Sequence, residues 1–107
     1  MPANPLLDPS DRGAWPRALP DWTLHPDHGG RLTRAFTFDG FPQAFAFMTQ
    51  VALAAEKRDH HPEWTNVYDR VTVTWTTHDA GGLTRKDLDM AAVCDAVASR
   101  LLQEGPA

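Results

Sequence analysis

Along Arg31 to Phe38 the residues Leu32, Phe36 and Phe38 share one parity, and further on Val71, Val73 and Trp75 alternate with Thr72, Thr74 and Thr76. A period of two is the pattern of a strand with one buried face. Together with Trp22 to Leu24 and Trp64 to Tyr68, these segments predict two antiparallel hairpins. The first turns through Pro26-Asp27-His28-Gly29-Gly30, and the second, which runs on from Val71 to Thr77, turns at Asp69-Arg70. Arg34 falls on the apolar parity, so that face is expected to be incompletely buried there or to lie near the strand end. The threonine face is left for solvent or a partner subunit.

Between the hairpins the period changes to that of a helix. Phe41, Ala44, Phe45, Met48, Val51, Ala52 and Ala55 form one apolar stripe at 100° per residue. Asp39-Gly40-Phe41-Pro42 suits a helix entry, Lys57 and Arg58 suit its negative end, and Pro62 predicts a stop at about His60. A second helix opens at Thr84, with Asp87 three residues on in a capping box that has Asp in place of Glu. Its predicted buried stripe is Met90, Val93, Cys94, Val97 and Leu101, with Leu88 on the outer side. Pro2, Pro5, Pro9, Pro16 and Pro20 limit the first twenty residues to an arm with a turn or two of helix around Ser10 to Trp15, from which Leu6, Leu7 and Trp15 can reach the body. The expected architecture is α+β and two-layered: a four-stranded antiparallel sheet with helices on one face, β-β-α-β-β-α after a short N-terminal helix. An arm over residues 1–20 precedes one domain over 21–104.

Composition narrows the function classes. At 107 residues, 42% apolar and 22% charged, the chain holds one core. A net charge of -4 has the wrong sign for gripping phosphate backbones, so no nucleic-acid partner is expected. The single cysteine, Cys94, allows no internal disulfide and reads as a small core residue. No stretch resembles a signal peptide or a membrane span, and a soluble, cytoplasmic protein with no membrane partner is expected. The five histidines are unusual in so short a chain. His25 and His28 fall at the first turn and read as exposed loop residues, whereas His60, His61 and His78 call for another explanation.

Glu56 and Asp59 stand three apart at the end of the first helix, beside His60 and the unsatisfied carbonyls of that end. Negative surroundings favour imidazolium, the state a general acid needs. His78 follows a core strand. If that strand returns beside the helix terminus, His60, His61 and His78 converge on one cleft with Trp64 as an apolar wall. The same histidines also fit a structural reading, as caps on helix carbonyls and an exposed loop residue. Adjacent histidines diverge and no His-x-x-x-His pair exists, so no metal is expected. Ser10 and Ser99 occupy no strand-to-helix elbow, and Gly81-Gly82 lacks the lysine of a phosphate loop and reads as a turn.

Glu56, His60-His61-Pro62, Tyr68, His78 and Asp87, at these separations, resemble the signature of the pterin-4a-carbinolamine dehydratases. The likeness extends from Trp22 through Phe36-x-Phe38, Phe41, Ala44, Phe47-Met48 and Val51-Ala52 to Gly82-Leu83-Thr84, about four-fifths of the chain. It implies a pterin dehydratase domain over residues 21–104, and dehydration of 4a-hydroxytetrahydropterin to quinonoid dihydropterin in tetrahydropterin recycling, with no cofactor. It also implies His60, His61 and His78 as the catalytic set. His60 and His78 would act as acids, and His61 would mainly bind and orient the ring. Glu56, Asp59, Trp64, Thr76 and Thr77 would join the three histidines in binding substrate. Asp87 belongs to the signature, but its own context reads as a helix cap, and it is left out of catalysis. A homodimer or homotetramer is implied too. Two departures stand out: Pro16 interrupts the family's first helix, and Trp75 replaces a smaller aliphatic residue. Two other functions remain open. One is an interaction protein, as in animal relatives that stabilise the dimerisation helices of a homeodomain transcription factor, with Leu88 as the candidate contact. The other is pterin binding in another pathway such as molybdopterin metabolism.

Overall fold

The protein is described by a computed structural model over residues 6, 7 and 18–103. Strands β1 (Thr23–His25) and β2 (Arg31–Thr37) precede helix α1 (Phe41–Lys57), and β3 (Glu63–Val67) and β4 (Arg70–Trp75) precede helix α2 (Arg85–Gln103). The four strands form one antiparallel sheet in the order β1-β2-β4-β3, so the two long apolar strands are central. Their register sets Leu32 opposite Trp75 and Phe36 opposite Val71, bringing the two buried parities onto one face. Both helices pack against the sheet and against each other. The expected α+β architecture is the observed one, while the helix expected around Ser10 to Trp15 lies outside the described residues. Of the arm, Leu7 is seen donating its backbone N–H to the Leu83 carbonyl at 2.9 Å. Among the described residues no helix is long and apolar enough to cross a membrane.

Several local expectations shift. The second hairpin turns at Tyr68-Asp69, one residue earlier than Asp69-Arg70, because Arg70 is already paired with Val67 and with Thr37. Tyr68 takes a left-handed φ of 51°, and the Asn66 side-chain amide ties the turn to the carbonyls of Tyr68 and Arg70. The buried stripe of α1 is Ala44, Phe47, Val51 and Ala55, with Phe45 58% exposed and Phe41 44% exposed. The helix is rotated from the expected face because Phe47 packs across the stacked Phe36 and Phe38 rings, with ring centroids 4.8 and 4.9 Å away. Leu88 is buried in α2 together with Met90, Ala91, Cys94, Val97 and Ala98, which corrects its assignment to the outer side. Burial pushes the Cys94 thiol up to about 12, consistent with a packing role. Arg34 does occupy the core parity of β2. Its guanidinium lies 4.3 Å from the Phe36 ring centroid and pairs with Asp95 at 2.6 Å, so the polar head is compensated by α2.

One close approach of two backbones locks the ends of the hairpins together. Leu83 donates to the Gly29 carbonyl at 3.1 Å, and Cβ atoms added at Gly29 or Gly82 would fall 1.9 Å from the Gly81 carbonyl oxygen or 2.3 Å from the Gly29 carbonyl oxygen. Neither position has room for a side chain, and Gly29 also holds φ +83°. Gly81, at φ +81°, has open space around it. Thermal unfolding of single alanine variants is therefore expected to rank them: Gly29→Ala and Gly82→Ala lose more than about 2 kcal/mol, whereas Gly81→Ala loses less. Equal midpoints across the three would show that the contact carries no stability.

Candidate active site

The site begins at the C-terminus of α1. His60 N–H reaches the Ala55 carbonyl at 3.0 Å and Asp59 N–H the Glu56 carbonyl at 3.1 Å, with Asp59 at φ 52°. This is a Schellman ending with Asp in the left-handed position. It stops the helix at Lys57, three residues before the end expected from Pro62. The reversal sends successive residues to opposite sides: His60 turns into the protein, 8% exposed, and His61 turns out.

The second contribution comes from the chain beyond β4. Thr77 exchanges backbone hydrogen bonds with Gly82 in both directions, at 3.0 and 3.1 Å, closing a short loop that carries His78 at its surface. Thr77 retains the buried parity of Val73 and Trp75, so its hydroxyl faces inward. The third contribution is the start of α2, where Asp87 is wholly buried.

Asp87 is the hub. Its Oδ1 accepts from His60 Nε2 at 2.6 Å, and its Oδ2 accepts from Thr77 Oγ1 at 2.8 Å and from the Thr84 backbone N–H at 2.9 Å. The single hydroxyl proton of Thr77 is spent on Asp87, so the 2.8 Å contact between Thr77 and Thr84 is donated by Thr84 Oγ1. The capping box read from Thr84 and Asp87 is thus half of a larger network. The carboxylate does reach back to the cap N–H, but the Thr84 hydroxyl is diverted to Thr77. With Nε2–H given to Asp87, Nδ1 is the ring nitrogen of His60 left for a ligand. The imidazole also stacks on Trp75, with centroids 5.4 Å apart and planes 25° from parallel.

His61 and His78 each have a carboxylate of their own. His61 Nε2 lies 2.8 Å from Glu56 Oε1, and His78 Nε2 lies 3.2 Å from Glu63 Oε2. Both pairs are solvent-exposed, unlike His60 and Asp87. A cleft of about 230 Å³ is lined by Asp59, His60, His61, Thr76, Thr77, His78 and Asp79. Six of the residues singled out from sequence therefore meet in one place. Glu56 reaches the cleft through His61, and Trp64 sits on β3 opposite Val73, packed against the core and outside the lining. A larger depression, about 480 Å³, adjoins it through Thr76 and His78 and includes His28. His25 is not an unattached loop residue: its Nε2 contacts Thr33 Oγ1 at 2.8 Å. Among the described residues no group of three or more His, Cys, Asp or Glu is arranged to hold a metal ion.

Sequence reasoning missed two partners, Asp87 for His60 and Glu63 for His78. Asp87 carried a signal in its fixed spacing from His78, but its fit to a helix cap supplied a sufficient local explanation. Glu63 follows Pro62 directly, and only the pairing of β3 with β4 brings it near the loop after β4. Removing the Asp87 carboxylate would leave the His60, Thr77 and Thr84 donors without their acceptor. Asp87→Ala is accordingly expected to lower the unfolding free energy by about 3–5 kcal/mol in urea titrations. A loss below 1 kcal/mol would contradict this network.

The family described as Pterin 4 alpha carbinolamine dehydratase matches residues 5–97 of the chain. A Rhizorhabdus wittichii protein whose name assigns it to the pterin-4-alpha-carbinolamine dehydratases is 52% identical over 98 residues, covering 92% of this chain and 99% of that one. The crystal structure of a transcriptional coactivator/pterin dehydratase from Brucella melitensis superposes with a TM-score of 0.80 at 46% identity, over 86% of this chain and 97% of the other. A pterin dehydratase-like protein identified as a RuBisCO assembly factor in the alpha-carboxysome shares the fold, with a TM-score of 0.63 at 24% identity over 73% of this chain and 89% of its own.

Proposed function

The chain belongs to the pterin 4 alpha carbinolamine dehydratase family, and from that premise we propose that it dehydrates 4a-hydroxytetrahydropterin by histidine acid-base catalysis, in tetrahydropterin recycling. The observation that carries the proposal is the convergence of His60, His61 and His78, from two separate segments, on one cleft. The reaction needs two proton transfers and nothing else from the protein. An acid protonates the C4a hydroxyl, the C4a–O bond breaks and water leaves. The N5 proton passes to a base as the C4a=N5 bond forms, giving the quinonoid dihydropterin.

His60 and His78 carry these transfers, and His61 binds and orients the ring. His60 suits its part because Asp87 holds one tautomer, so proton exchange is confined to Nδ1. His78, exposed at the loop, can exchange its proton with solvent between turnovers. Asp59, Thr76 and Thr77 line the substrate site with them, while Glu56 anchors His61. Affinity for an uncharged bicyclic ring rests on stacking and hydrogen bonds.

The working form is a homodimer or homotetramer in the cytoplasm. Support comes from the two edge strands, β1 and β3, and from the exposed apolar side chains Phe41, Phe45, Leu53, Val67 and Tyr68. Light scattering on the eluting protein is expected to give a mass of two or four chains, and a monomer at micromolar concentration would refute this.

The test of activity is the decay of synthetic 4a-hydroxytetrahydropterin. Purified protein is expected to accelerate it, and His60→Ala and His78→Ala are each expected to lower kcat by roughly 10²- to 10⁴-fold. A wild-type rate equal to the uncatalysed background would reject the proposal.

A further inference from the structure

The cleft that holds the three histidines adjoins a second depression. Thr76 and His78 border both, and the other walls of the larger space, about 480 Å³, carry Asp27, His28, Arg31 and Glu63. The smaller cleft supplies every group that the proposed proton transfers use. Apart from His78, the larger depression adds nothing to them, yet it is a built feature. Part of its lining is backbone held in place: Thr76 Oγ1 donates to the Gly30 carbonyl at 3.0 Å, and Gly82 is pressed against Gly29.

The connectivity of a pterin says what would reach this space. Dehydration takes place across C4a and N5, and C6, the ring carbon that carries the substituent, is bonded to N5. The substituent therefore leaves from the reacting edge of the ring, the edge that His60 and His78 must face to move protons. His78 stands on the boundary between the two depressions, so a chain leaving beside it enters the larger one.

The walls select the kind of chain. The N–H groups of Gly30, Gly81 and Gly82 are already given to the carbonyls of Asp27, Thr77 and His78, so recognition falls to side chains. Arg31 only donates hydrogen bonds and ionised Asp27 only accepts them. Their mutual contact is long, 3.5 Å, and both side chains stay partly exposed, which leaves each of them capacity for a ligand. A hydroxyl group donates and accepts, and so suits both at once. Charge points the same way. Among the permanent charges of the walls, the carboxylates of Asp27 and Glu63 outnumber the one guanidinium, and an anionic chain would meet net repulsion. Resting on the dehydratase reading, we propose that this depression is the subsite for the C6 substituent, and that Arg31 and Asp27 make it select an uncharged, hydroxylated chain over a methyl group or a phosphorylated chain. Both are specificity residues and take no part in the proton transfers.

The test uses synthetic 4a-hydroxytetrahydropterins that differ only at C6, bearing a methyl group, a dihydroxypropyl chain or the phosphate ester of that chain. For the wild-type protein, kcat/KM for the dihydroxypropyl substrate is expected to exceed each of the others by about 5- to 20-fold, carried mostly by KM. Arg31→Ala and Asp27→Ala are each expected to bring the dihydroxypropyl-to-methyl ratio down to about twofold or less. A general loss of structure would lower both substrates together and leave that ratio where it was. Equal kcat/KM for all the substrates, or wild-type discrimination retained in either variant, would overturn the proposal. Calorimetric titration with the non-reacting 7,8-dihydropterins that carry the same C6 groups reads the subsite independently of turnover. The expected order of affinities without any acceleration of dehydration would reject the dehydratase reading and leave the subsite standing, whereas acceleration without discrimination would strike the subsite alone.

Discussion

A wholly buried carboxylate must find donors or the fold does not form, and the Asp87 side chain finds them on three different parts of the chain. His60 follows the end of α1, Thr77 follows the end of β4, and Thr84 caps α2. Desolvating a carboxylate is costly, and the cost is met only when all of these segments are docked. The same bonds that close the fold at this corner therefore set the tautomer of His60. Stability and site geometry are coupled here through one residue.

The three histidine–carboxylate pairs differ in how much of that coupling they carry. His60 with Asp87 is buried and stacked on Trp75, while His61 with Glu56 and His78 with Glu63 lie in solvent. Exposed pairs contribute little to stability, which leaves their side chains free to move toward a ligand. The cleft thus holds one buried imidazole, fixed in a single tautomer, beside two exposed ones. The loop carrying His78 is nonetheless held at its base, by the Thr77–Gly82 bridge and by the backbone contact between Gly29 and Gly82.

Much of the fold was legible because hydrophobic period reports which face of an element is buried. The alternation of Val71, Val73 and Trp75 placed β4, and Thr84 with Asp87 placed the start of α2. Failures came where several apolar residues competed for one face. Phe41 and Phe45 fit a helical stripe as well as Phe47 does, and only the packing against the Phe36 and Phe38 rings selects Phe47. Leu88 was misread for a similar reason, since the faces of α2 are defined by what packs against them. The early end of α1 was hidden because Asp, unlike Gly, does not advertise a left-handed position.

By itself the sequence determined the strand and helix succession, the single core and the set of histidines that line the cleft. These follow from local periodicity and from residue types at fixed spacings, and both survive without knowledge of long-range contacts. Tertiary structure alone decided which carboxylate serves which imidazole. His60 turns to Asp87, 27 residues away in sequence, and not to neighbouring Glu56, because the left-handed Asp59 reverses the chain and points His60 into the core. It also decided that Trp75 stacks on that ring, with centroids 5.4 Å apart. A hydrogen bond or a ring stack depends on distance and angle, and those are fixed only when helix, strand and cap pack together.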